Sequence, residues 1–275
     1  LNGDPYGADT VVSQVIDMND QPTMMLVYYY QQGGGGEDPD EGNDLRVEYL
    51  TSGKVWQPLT RHLGVDSPMT EFAREVRSLP YGAYHANFRL RFRVTGDAGP
   101  FDDWFVDDVS IEPAPVISVN QTSISVIVYF GDSGTTEFEV SNVGLANLEY
   151  SLDSLPAWLA IDRLSGLLEP QQIDTLTAMI LSQSLDTGQY VDSLVITSND
   201  PDSLRNPLMI PVTLTVRDWL CGDVDEDLKG PDLADITALI AIVYFTHSPP
   251  SHPEAANVDA SLDGEYTLND IVRLI

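Results

Sequence analysis

Residues 88–94 read FRLRFRV. Phe88, Leu90, Phe92 and Val94 alternate with Arg89, Arg91 and Arg93. A strand turns successive side chains to opposite faces, so this period of two gives one apolar and one basic face, as in a half-buried antiparallel strand. DLRVEYL at 44–50 repeats the pattern, with Leu45, Val47 and Tyr49 against Arg46 and Glu48. LMIPVTLTV at 208–216 does so again through Leu208, Ile210, Val212, Leu214 and Val216. Pro211 inside that run argues for an edge strand or for a position whose N–H is not needed. PTMMLVYYYQQ at 22–32 is apolar on both faces, which predicts an inner strand. Residues 1–112 and 116–217 therefore both read as all-β.

The chain has 275 residues, 43 of them acidic and 13 basic, for a formal net charge of -30. That charge excludes nucleic acid and anionic membrane surfaces as partners and attracts divalent cations. Hydrophobic residues make up 43% of the chain, enough for real cores, yet no stretch approaches the roughly 18 apolar residues of a membrane span. Cys221 is the single cysteine, so no intrachain disulfide forms, and it reads as a linker thiol. The chain opens on Leu1 and stops inside a helix pattern, which reads as a fragment or a processed piece. EPAPV at 112–116 and RDWLCG at 217–222 punctuate the sequence and predict three units, 1–112, 113–217 and 218–275.

DDWFVDDVSI at 102–111, following NDLRVEYLTSGKVWQPL at 43–59 and FRLRFRV, resembles the MAM-like or concanavalin-like jelly-roll modules of extracellular proteins. The resemblance spans most of 1–112 and implies a β-sandwich whose first strands lie before Leu1. In the next unit, four segments follow in order: EFEVSNVGLANLEYSL (137–152), PAWLAIDRLSGLL (156–168), GQYVDSLVITSNDPD (188–202) and IPVTLTV (210–216). Together they resemble the Ig-like domains of the BACON and related bacterial surface-protein families. That resemblance implies a seven-stranded sandwich acting as a spacer or binding module, without catalytic residues.

The C-terminal unit carries the chemistry. DASLDGEYTLND at 259–270 places oxygens at Asp259, Ser261, Asp263 and Asp270, the Glu265 carbonyl between them, and Gly264 at the turn. A 12-residue calcium loop uses positions 1, 3, 5 and 12, a backbone carbonyl at 7 and a glycine at 6. Like charges crowded in this way repel each other until a cation turns them into binding energy. An earlier copy, CGDVDEDLKGPDLADITALIAIVYF at 221–245, sets Asp223, Asp225 and Asp227 at the same spacing. Asp235 opens a helix whose Ile236, Leu239, Ile240 and Val243 share one face. Here Leu228 stands in place of the glycine, Lys229 offers the carbonyl by position, and Asp235 is the thirteenth loop residue, with Gly230 able to absorb the insertion.

Loop followed by helix, twice, with no helix before either loop, resembles a type I dockerin over 221–275, a tandem F-hand module with its second helix cut short. The resemblance implies bound Ca2+ and a cohesin partner. That partner is contacted through the helix faces and the residues before the last ligand, here Leu233, Ala234, Leu268 and Asn269. The Ser-Thr pair common in cellulosomal dockerins is absent.

Other residues weigh less. His62, His85, His247 and His252 are scattered, with no zinc spacing and no nucleophile elbow. Asp102, Asp103, Asp107 and Asp108 read as acidic turn residues, or as a further calcium site with Glu37, Asp38 or Asp44. Arg89, Arg91 and Arg93 read as a strand face paired with acids, or as a face for anionic glycans. Tyr28, Tyr29, Tyr30 and Trp56 read as core aromatics, or as sugar-stacking rings.

The fold expected is mainly β: two β-sandwich domains, jelly roll then Ig-like, followed by a small α-helical dockerin-like calcium module. The function expected is that of a secreted, bacterial, non-catalytic attachment protein. The alternatives are the C-terminal accessory region of a secreted hydrolase and a glycan-binding module.

Overall fold

The computed structural model describes residues 10–34, 37–65, 69–95, 103–130, 132–182, 185–218, 220–227, 231–248, 250–258, 266, 267, 270, 271 and 273. The chain is mainly β, arranged as two pairs of facing sheets and a short helical C-terminal segment. No helix of the described residues is long and apolar enough to cross a membrane.

In the first pair, β1 (Thr10–Val12), β2 (Met24–Gln32), β3 (Leu45–Leu50), β4 (Trp56–His62), β5 (Ala73–Ser78), β6 (Leu90–Val94) and β7 (Trp104–Pro113) form sheets ordered β1-β6-β3-β4 and β5-β2-β7. The FRLRFRV and DLRVEYL strands pair directly, Val47 opposite Phe92 and Glu48 opposite Arg91. Their apolar faces meet Leu26 and Tyr28 of β2 and Trp104 of β7 in one buried cluster. The strand that is apolar on both faces, β2, lies between β5 and β7, as its sequence predicts. β7 carries a bulge where Asp108 and Val109 oppose Tyr28, and Asp108 has φ +49°.

The second pair comprises β8 (Ile117–Val119), β9 (Ile124–Tyr129), β10 (Ser133–Asn142), β11 (Leu148–Ser154), β12 (Leu159–Ile161), β13 (Ser165–Leu168), β14 (Ile173–Leu181), β15 (Gly188–Ser198) and β16 (Leu208–Arg217). The orders are β12-β14-β10-β8 and β13-β11-β15-β16-β9. Phe138, Leu176 and Ile180 from the first of these sheets pack against Leu194, Ile196, Val212 and Leu214 from the second. The seven strands implied by the Ig-like resemblance are nine among the described residues. The short β12 and β13, split by the turn at Asp162 and Arg163, add themselves to opposite sheets. Pro211 is not on an edge, because β16 lies between β15 and β9. Parallel pairing with β9 begins one residue later, at Val212, so Pro211 faces no β9 residue in that ladder.

The EPAPV junction is not a loose linker. Its first two residues end β7, and Ala114 and Val116 are buried. The Ala114 N–H donates to the Thr23 carbonyl on one side, and the Leu145 N–H donates to the Ala114 carbonyl on the other. The chain passes so close here that a Cβ on Gly144 would meet Ala114 O at 2.3 Å, which only glycine tolerates.

The C-terminal segment holds α1 (Leu233–Ala241), continued as a π turn over Ile242–Thr246, and α2 (Pro253–Ala256). Val224, Leu239, Ile242, Ala256 and Ile271 form a third, small buried cluster.

Candidate metal centre

Residues 220–227 fold back on themselves before α1. Gly222 takes φ +89° and donates its N–H to Ala255 O at 2.8 Å, which ties the loop to α2. Asp223 is buried, and its Oδ1 accepts the Asp227 N–H at 3.0 Å. Asp223, Asp225 and Asp227 thereby present one oxygen each, all within 4.8 Å of one another. Partial desolvation, then the nearby Asp227 and Asp235 carboxylates, push the Asp225 carboxyl above its ordinary value. Glu226, at φ +63°, accepts the Ser251 N–H at 2.6 Å, a second tie between the loop and the α2 region.

Asp235 does different work. It is almost fully buried, and its Oδ1 accepts the N–H groups of Val224 at 2.7 Å and Asp225 at 3.2 Å. Its Oδ2 accepts the Asp232 N–H at 2.7 Å, while Asp232 caps Ala234 at 2.6 Å. This reciprocal box starts α1 and pulls the acidic loop onto it. Asp235 therefore stands outside the gathered group, as the residue that shapes it.

Asp270 repeats one part of the arrangement, the bond from the N–H three residues earlier. It is fully buried, and its Oδ2 accepts the Thr267 N–H at 2.8 Å and the Thr267 hydroxyl at 3.2 Å. The next residue, Ile271, joins the cluster formed with Leu239 and Ile242 of the first repeat. Asp259, Ser261, Asp263, Gly264 and Glu265 lie outside the described residues, as do Leu228, Lys229, Gly230, Leu268 and Asn269. Three carboxylates at this separation are a hard-oxygen donor set that suits Ca2+ or Mg2+ and does not suit a soft thiolate-seeking metal.

Several of the remaining candidates take structural roles. Arg91 and Arg93 converge on Glu48, with Nε–Oε2 distances of 2.8 Å for both, and the Arg91 guanidinium lies 4.2 Å from the Trp56 ring centroid. That face is the acid-paired one. Burial alone would raise the Glu48 carboxyl; the bonds from Arg93 and Arg91 outweigh it and hold the group below its ordinary value. Asp44 is buried against Arg61 and the Gly64 N–H. Asp102 lies outside the described residues.

Tyr28 is a core residue. Its hydroxyl meets His62 Nε2 at 2.6 Å, and His62 stacks on Tyr30 with ring centroids 3.7 Å apart. Burial, with the Arg77 guanidinium adding to it, pushes the His62 imidazole down to about 4. In the unfolded chain this group titrates near 6.5, so the unfolded state binds the extra proton between those values. The first sheet pair is expected to lose stability as pH falls from 6.5 to 4, and His62→Phe is expected to flatten that dependence. Thermal midpoints of both proteins across this range check it; parallel curves would show that His62 is not the group responsible. Nothing in the sequence marks this cluster, because Tyr28 of β2 and His62 of β4 belong to different sheets and meet only when the two sheets face each other.

A mainly β chain of two facing-sheet pairs, followed by an acid-rich helical segment, is the class these observations define. Residues 116–205 match the family model described as the viral BACON domain, within the segment read above as BACON-like. No curated protein matches the chain. Among solved structures, PapD-like domain 7 of human CEP192 aligns at 15% identity and a TM-score of 0.33, over 39% of this chain and 89% of that one. The periplasmic chaperone SfaE aligns at 10% identity and a TM-score of 0.30, over 38% of this chain and 59% of that one. The CupB6 tip adhesin from Pseudomonas aeruginosa aligns at 11% identity and a TM-score of 0.26, over 78% and 89%.

Proposed function

We propose that this chain is a secreted, non-catalytic attachment protein whose C-terminal segment is a dockerin-like calcium module that docks to a cohesin-like protein. The observation that carries the reading is the gathering of Asp223, Asp225 and Asp227 directly before α1. These residues would hold Ca2+, and the ion would supply the positive charge that lets three carboxylates stay together. Buried Asp235 and Asp270, each accepting the backbone N–H of the residue three places before it, support a tandem repeat. Leu233, Ile240 and Tyr244 lie along one side of the helix at 75%, 36% and 55% exposure, with Phe245 beside them at 77%. An apolar stripe left in solvent this way fits a docking face for a protein partner. Upstream, the jelly-roll-like and BACON-like units would act as a display arm, with a glycan or surface protein as the ligand of the first.

Calorimetric titration of the whole chain with CaCl2 tests the reading. Two sites are expected in the native protein and one in an Asp223→Asn, Asp225→Asn variant. No heat in the native protein, or two sites retained in the variant, would sink the calcium assignment.

A further inference from the structure

Among the described residues the two sheets of the first pair are unequal. Four strands, β1-β6-β3-β4, face three, β5-β2-β7. β1 ends the larger sheet and β7 ends the smaller one, and each pairs on one side alone among the described residues. Between these two edges lies an apolar cleft of about 550 Å³. Val11, Ile16, Leu90 and Phe92 form one wall, and Val106, Val109 and Ile111 of β7 form the other. Val11 and Val109 are 56% and 46% exposed there. The inward side chains of β1 and β6 thus face the space where a fourth strand beside β7 would run.

We propose that this cleft accepts an extended peptide strand of a partner protein, added to the edge of β7, with apolar side chains alternating with basic ones. The alternation follows from strand geometry: every second side chain of the added strand enters the cleft, and the others lie beside the outward residues of β7. Those outward neighbours include the acidic Asp107 and Glu112, beside Phe105 and Ser110, with Asp108 at the bulge. The same charges argue against a second copy of this chain as the occupant. Edge-to-edge pairing of two β7 strands would bring the acids of both copies into one patch, in molecules that each carry a net charge of -30. Edge charges and bulges commonly block self-association. Here they do so while leaving the apolar slot open to a strand of opposite charge. This proposal rests on the first sheet pair and is independent of the calcium module.

The test uses the full 275-residue chain and a fluorescent peptide of about seven residues, the length that spans the slot at strand rise. The probe alternates lysine with valine or isoleucine. One control has the same composition in an order that breaks the alternation; another has glutamate in place of lysine. Anisotropy is expected to rise with the alternating lysine probe, and both controls are expected to bind at least roughly tenfold more weakly. Val109→Asp and, on the opposite wall, Val11→Asp are each expected to weaken the probe by about tenfold without moving the thermal midpoint, since both side chains are already half exposed. Equal binding of the scrambled peptide, or undiminished binding by both variants, would overturn the proposal. So would a concentration-dependent dimer of the native chain that Val109→Asp abolishes, because the slot would then belong to a second copy.

Discussion

Asp200→Ala is expected to cost the second sheet pair about 3–5 kcal/mol. The Asp200 side chain is fully shut off from solvent. Its Oδ2 accepts the Ile117 N–H at 3.0 Å and Arg205 Nε at 2.8 Å. Its Oδ1 accepts the Asp202 N–H at 2.9 Å and Arg205 Nη2 at 3.2 Å. Removing the carboxylate leaves a buried N–H on Ile117 and a guanidinium that keeps only Asp202. It also releases β8, whose first residue is Ile117 and which reaches Asp200 across most of the unit. Asp200→Asn is expected to cost less, because its amide oxygen still accepts from Ile117. Urea unfolding of the full chain, followed by tryptophan fluorescence, measures both. A loss below about 1 kcal/mol for the alanine variant would mean that the pair behaves as an exposed one.

The second large effect is expected at Asp235. Alanine there orphans three backbone N–H groups, those of Val224, Asp225 and Asp232. Each hydrogen bond to a charged acceptor contributes roughly 1.5–3 kcal/mol. The apolar cluster beneath is small, with Val224, Leu239, Ile242, Ala256 and Ile271 as its buried members. So little core cannot absorb a loss of that size. The expected result is loss of ordered α1 and of the gathered carboxylates together, while both sheet pairs keep their transitions. Amide exchange over residues 233–241 reads this directly. Protection there equal to that of the native chain would refute the anchoring role of Asp235.

Period-two strands were the most legible part of the fold. FRLRFRV, DLRVEYL and LMIPVTLTV each form a strand where the alternation places one, because a single buried face fixes the register. Less legible were β1, a three-residue strand with no buried position, and β12 and β13, which are too short to show a period. The purpose of the arginine stripe was open in the sequence. It is settled by register, since Glu48 lies opposite Arg91 and within reach of Arg93. In the acidic loop, the spacing marks Asp223, Asp225, Asp227 and Asp235 alike, and the fold brings the first three within 4.8 Å of one another. The three N–H partners of Asp235 are set by the folding back of the loop and leave no mark in the spacing. The apolar slot beside β7 leaves no mark in the sequence, because Val11 and Val109 look like ordinary strand residues until the unequal strand counts of the two sheets are known.

The parallel pairing of β16 with β9 has a mechanical consequence. Val212 through Arg217 lie alongside Ile124 through Tyr129, running in the same direction near opposite ends of the second unit. Tension on an arm tethered at its C-terminus and loaded at its N-terminus would first strip the three-residue β8. It would then pull β9 and β16 in opposite senses along their shared length. All the hydrogen bonds of that ladder would bear the force together, in shear, and could not open one after another as a zipper does. With the Ala114 junction clamped from both sides, the load would reach this ladder through a stiff joint rather than a slack one.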